Sequence, residues 1–119
     1  MSKYFIFSYS FAAPFFSDSE TSYVKADSPQ QALEKYAKNY KHPAGLFSAA
    51  CYASADAYHK KPNKPLAKWL CNHQIEIERL TKHLGAYSYR GIAPGKFEID
   101  GKVHNVNKPR AGRVITKKD

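Results

Sequence analysis

Residues 3 to 12, KYFIFSYSFA, alternate so that Phe5, Phe7, Tyr9 and Phe11 share one side while Tyr4, Ile6, Ser8 and Ser10 share the other. Period-two spacing predicts a half-buried strand, and the all-aromatic side is the expected core face. Pro14 closes the strand because it brings no N–H to a ladder. The polar run SDSET at 17–21 then forms a loop before a short second strand near Thr21 to Ala26.

The next signals are helical. Ser28 is placed as an N-cap, Pro29 at the first helical position and Gln31 as the return partner of a capping box. At 100° per residue, Ala32, Leu33, Tyr36, Ala37 and Tyr40 form one face, and the helix stops before Pro43 and Gly45. Residues 46–60, LFSAACYASADAYHK, support two patterns. A buried strand over Leu46 to Ser54 puts Phe47, Ala49, Cys51 and Ala53 on one face, small enough for a helix to approach. A helix instead gathers Leu46, Phe47, Ala50, Cys51, Ala57 and Tyr58. The strand is adopted.

From Pro65 the spacing predicts the longest helix, running to about Leu84 with Gly85 as its C-cap. Leu66, Trp69, Leu70, Ile77, Leu80 and Leu84 fall within roughly 100° on its wheel, and Ile75 lies opposite. After Gly85 come AYSYRGI and KFEIDGKVHNV, in which Asp100-Gly101 is the signature of a type I′ hairpin. The order β-β-α-β-α-β-β defines an α+β fold. Its expected form is one domain over 1–107, with four to five antiparallel strands and two helices packed on one face. Residues 108–119 are expected to form a basic C-terminal arm or tail.

Composition agrees with a single folded core: 119 residues, 43% hydrophobic, with nine tyrosines and seven phenylalanines to bury. Charge changes the picture more. Residues 1–57 carry five bases and five acids, whereas fourteen bases and five acids follow from residue 58, so the whole net charge of +9 belongs to the second half. A field of one sign favours anionic partners. Cys51 and Cys71, with no secretory segment, predict a reducing compartment and a cytoplasmic protein. No apolar run reaches membrane-spanning length, so no membrane partner is expected.

Candidate chemistry is sparse. On the predicted helix His73 sits inside the apolar stripe. It is read either as a core histidine satisfied by one backbone or tyrosine partner, or as a pocket residue with a tuned proton affinity. Cys71 and His73 would lie about 160° apart on that helix, and no paired Cys or His spacing is present, so no metal site is expected. The glycines do not fall in phosphate-loop or dinucleotide patterns, and clustered carboxylates are lacking; no cofactor is predicted.

The bases form groups that could hold an anion. Lys60, Lys61, Lys64 and Lys68 surround the predicted start of the Pro65 helix, where unpaired N–H groups would reinforce them, with Tyr58 and His59 beside them. Arg79 and Lys82 lie on its outer face. In the arm, Lys102, Lys108, Arg110, Arg113, Lys117 and Lys118 would neutralise about six phosphates, with a log–log salt slope near −4 to −5.

The residues therefore favour a non-catalytic binding protein that docks or sequesters an anionic partner: nucleic acid, nucleotide or an acidic protein surface. A small inhibitor, such as a phage counter-defence protein, fits this frame. One alternative is a metal-independent ribonuclease or small hydrolase using His59 or His104. Another is an oligomer-forming module in which Tyr4 and Ile6 pack on a second subunit.

Overall fold

The computed structural model describes residues 2–11, 18–82, 89–93 and 95–115. Its elements are β1 Ser2–Ser10, β2 Ser19–Ala26, α1 Pro29–Lys38, β3 Leu46–Tyr52, α2 Ala55–His59, β4 Ala67–Cys71, α3 Asn72–Thr81, β5 Tyr89–Ala93, β6 Lys96–Ile99, β7 Lys102–Asn105 and β8 Gly112–Ile115. Five strands form an antiparallel sheet in the order β2-β1-β3-β4-β8, and β5-β6-β7 form a smaller one. The α+β plan stands. The expected strand end at Pro14 and helix cap at Gly85 lie outside the described residues.

Helix α1 starts where its capping chemistry dictates. The Gln31 N–H donates to Ser28 Oγ at 3.1 Å, and the Asp27 N–H donates to Gln31 Oε1 at 2.6 Å. The return bond thus reaches one residue beyond the cap. Ala32, Leu33 and Tyr36 are buried against Ile6, Ala49, Cys51, Trp69 and Cys71 of the sheet. Strand β3 presents Ala49 and Cys51 to the helix, as the strand pattern of small residues implies.

Strand β1 is oriented opposite to the sequence expectation. Ile6, Ser8 and Ser10 are fully buried on the α1 side, while Phe5, Phe7 and Tyr9 point to the other face. Ser10 Oγ is buried without a hydrogen-bond partner among the described residues, whereas Ser8 is accommodated by chemistry that alternation alone does not reveal. Tyr36 Oη donates to Glu20 Oε1 at 2.7 Å and accepts from Ser8 Oγ at 2.6 Å. Phe11 does reach the core, because the β1–β3 register shifts after Tyr9 and the chain leaves the strand there.

The long helix predicted from Pro65 is replaced by β4 and α3. Residues 67–71, AKWLC, also alternate: Ala67, Trp69 and Cys71 face α1 while Lys68 and Leu70 face away. Ladder bonds to β3 and β8 on both sides satisfy this backbone, which outweighs a helical wheel of modest strength. Leu66, assigned to the stripe, is 54% exposed. Helix α2 was not expected as a separate element; Ser54 caps it through the Ala57 N–H at 3.1 Å.

The helices also do not share one face. Tyr58 of α2 contacts Phe5, Phe7 and Tyr52, on the side of the sheet opposite α1. Helix α3 buries Ile77 against Phe97 and Ile99 of the small sheet. The Asp100-Gly101 turn is as predicted, with φ of 49° and 84° between β6 and β7. Within the segment read as a basic arm, Gly112–Ile115 is the edge strand beside β4.

Three substitutions test this arrangement. A Cβ at Gly112 would stand 2.5 Å from the Trp69 ring and against the Leu70 carbonyl. Gly112→Ala is therefore expected to destabilise by about 1–3 kcal/mol in urea unfolding. Ile6→Ala should cost about 2–5 kcal/mol and Tyr9→Ala under about 1 kcal/mol. The reverse ranking would show that β1 faces the other way.

Candidate functional site

Among the described residues, the face of the five-stranded sheet turned away from α1 has the five-residue α2 across one part, and α3 flanks its β4–β8 end, where Glu78 lines the same grooves as Lys68 and Arg113. Cross-strand pairing sets its rows: Tyr23, Phe5 and Tyr52; then Thr21, Phe7, Ala50, Lys68 and Ile115; then Ser19, Tyr9, Ser48, Leu70 and Arg113. Beyond the first row stand Lys3 and Lys25, also paired. Lys3, Lys25, Lys68 and Arg113 thus share this face. The single acid within the five strands, Glu20, is on the other one, held by Tyr36.

The rings form a continuous band. Tyr23 meets Phe5 edge-on at 5.4 Å, Phe5 meets Tyr58 at 5.3 Å, Tyr58 stacks on Phe7 at 5.2 Å, and Phe7 meets Tyr9 edge-on at 5.0 Å. The middle of the band is covered by its own members. Its ends are open: Tyr23 is 53% exposed and Tyr9 38%. The Lys3 ammonium lies 5.4 Å from the centre of the Tyr23 ring, a cation–π contact at the edge of the band.

Of the residues singled out from sequence, Tyr58, His59 and Lys68 belong to this face or its border. His59 contacts Tyr58 edge-on. Lys60, Lys61 and Lys64 are exposed on the loop that leaves α2, and Asn63 Nδ2 donates to the Tyr58 carbonyl at 2.9 Å to fold that loop back. The helix N-terminus expected to reinforce these lysines is absent, because Pro65 leads into β4. Arg113 joins the face through β8, whereas Lys108 and Arg110 do not. They lie in the turn before β8, where Arg110 donates to the Pro43 carbonyl at 3.4 Å and Lys108 accepts from Asn72 Nδ2.

Lys3, Lys25, Tyr9 and Tyr23 were missed in the sequence reading. Their alternation was visible, but the side of the sheet each occupies was not. Next to Arg113 the face continues into a groove of about 640 Å³ beside α3, lined by Leu70, Ile75, Glu78, Arg79, Lys82 and Ile115. Arg79 there is paired with Glu76, whose carboxyl is held below its usual range mainly by that hydrogen bond.

The remaining reactive groups are muted. Burial pushes the Cys51 and Cys71 thiols up to about 11, so neither supplies a thiolate near neutral pH. No group of three or more metal-ligating side chains occurs among the described residues. His104 stacks on Phe97 in the small sheet, apart from the α2 element that carries His59.

His73 is buried at the join between the two sheets. Its Nδ1 accepts the Gly95 N–H at 3.1 Å, and Phe11 and Phe97 meet its ring edge-on. That is the satisfied core histidine of the first reading. No helix among the described residues is long and apolar enough to cross a membrane. In comparisons with known proteins, the chain matches no family model, no curated protein and no solved structure.

Burial lowers the His73 pKa, since the apolar surroundings favour the neutral ring. Its contribution to stability is therefore full above the unfolded value of about 6.5 and declines as pH falls below it toward the folded value. Urea midpoints between pH 8 and pH 5 should fall with acidification. His73→Gln, which keeps an acceptor but does not titrate, should flatten that decline.

Proposed function

We propose that the protein is a non-catalytic binding protein that holds an anionic partner on the uncovered face of its five-stranded sheet. The observation that carries this reading is the charge balance of the sheet face: its strands contribute Lys3, Lys25, Lys68 and Arg113 and no acid, and Glu78 of α3 stands only at the Lys68–Arg113 end. Lysines 60, 61 and 64 extend the basic border beyond α2. Such a surface attracts a polyanion over a Debye length of about 8–10 Å and releases bound counterions on contact.

A rigid antiparallel sheet suits this task. Its ladders hold the four charges without the ordering cost that a flexible arm would add on binding. Neither buried thiol supplies the thiolate that a cysteine nucleophile needs.

Inorganic polyphosphate serves as the test ligand, with affinity measured by titration calorimetry at several salt concentrations. Wild-type affinity should fall steeply with salt, by a slope of about −0.7 to −0.9 per phosphate contacted. Lys3→Glu with Lys68→Glu should weaken binding at least about tenfold and flatten the slope. Lys60→Ala, Lys61→Ala and Lys64→Ala together should weaken it by a smaller factor. Binding that ignores both salt and these changes would refute the reading.

A further inference from the structure

We infer that the partner held on this face is a single-stranded nucleic acid, with unpaired bases stacked on the exposed rings of Tyr9 and Tyr23. The inference rests on the anion-binding reading above and adds what the rings contribute to it. A face that only captured charge would need no aromatic band. Here five rings run in unbroken contact from Tyr23 through Phe5, Tyr58 and Phe7 to Tyr9, and the cations lie among and around them.

The internal members of the band are packed on one another, which fixes the orientation of the end rings. Tyr9 and Tyr23 each retain a large open surface. They are on neighbouring strands and four pairing positions apart, so strand geometry separates them by about 14 Å. That span accommodates more than one nucleotide. Lys3 and Lys25 stand beyond Tyr23, and Lys68 on β4 and Arg113 on β8 lie two and three strands across from Phe7 and Tyr9. Each unit of a single strand offers a flat ring and one negative charge, and this face offers partners for both.

Competing occupants fit less well. A second copy docked face to face would set Lys3 and Lys25 against cations of the other copy, while Glu78 stands at the far, β4–β8 end of the face. A duplex presents its phosphates but keeps its bases stacked inside, leaving Tyr9 and Tyr23 without partners. Nucleic acid of either sugar shares the required chemistry, so RNA and DNA are separate arms of the test.

The experiment measures fluorescence anisotropy of labelled 12-nucleotide single strands, one RNA and one DNA of the same mixed sequence, beside a duplex and polyphosphate. Tyr9→Leu and Tyr23→Leu, checked for folding by circular dichroism, should each weaken single-strand binding roughly 5- to 100-fold. Polyphosphate affinity should fall by a much smaller factor, Tyr23→Leu losing only the contact that steadies Lys3, so the ratio of single-strand to polyphosphate affinity drops. Lys3→Glu with Lys68→Glu should weaken all ligands. A stronger response in one single-stranded arm identifies the sugar. If the ring variants bind single strands as the wild type does, or if duplex binds as tightly as single strand, base stacking is overturned while anion binding stands. If neither polyphosphate nor any oligonucleotide binds, both readings fall. The same RNA bound by Tyr9→Leu at full affinity, with only the duplex lost, would also overturn the stacking of bases on that ring.

Discussion

The close seating of α1 on the middle of the sheet is the contact on which the other features depend. Ala32 and Leu33 meet Ile6, Ala49 and Cys51, and all five are buried to within a few per cent. Small side chains let the helix approach. Phe5 and Phe7 in the place of Ile6 and Ser8 would hold it off and leave voids beside it, and packing rather than total apolar area decides such a choice. Tyr36 then reaches across to Ser8 and Glu20, so the buried Ser8 and Tyr36 hydroxyls are satisfied, while Ser10 Oγ is buried without a hydrogen-bond partner among the described residues.

Once α1 occupies that face, the aromatic side of β1 must point the other way, because successive strand residues alternate. Helix α2 covers part of it with Tyr58, and the band remains open at both ends. The same alternation carries Lys3, Lys25, Lys68 and Arg113 outward, since their neighbours Tyr4, Val24, Trp69 and Val114 pack toward the core. A basic aromatic surface is thus the obverse of the packing that stabilises the sheet.

The short run from β4 into α3 joins the rest of the molecule to this sheet. Backbone bonds from Asn72 and His73 to Ala111 and Pro109 anchor the helix start to the turn before β8. His73 meets Gly95 and Phe97 of the smaller sheet. A change at this join therefore reaches both sheets and the Lys68–Arg113 end of the open face, while the aromatic band lies on β1, β2 and α2.

By itself the sequence determined the local chemistry: the Ser28-Pro29 helix start, the Asp100-Gly101 hairpin, the period-two runs of β1 and β3, and the α+β class. Each depends on residues within a few positions of one another, where capping, turn geometry and alternation act. The burial of His73 was legible only in part: Ile77 and Leu80 share its helix, but Trp69 and Leu70, counted in the same stripe, lie on β4. Tertiary structure decided which side of β1 became core, because that choice rests on fit against α1, more than twenty residues downstream. It also turned Ala67–Cys71 into a strand, since the hydrogen bonds that favour it come from β3 and from β8, some forty residues away. And it brought the neutral aromatic half and the basic half of the chain onto one surface. Charge along the chain says how much positive potential exists; only strand register and pairing say which rings it stands beside.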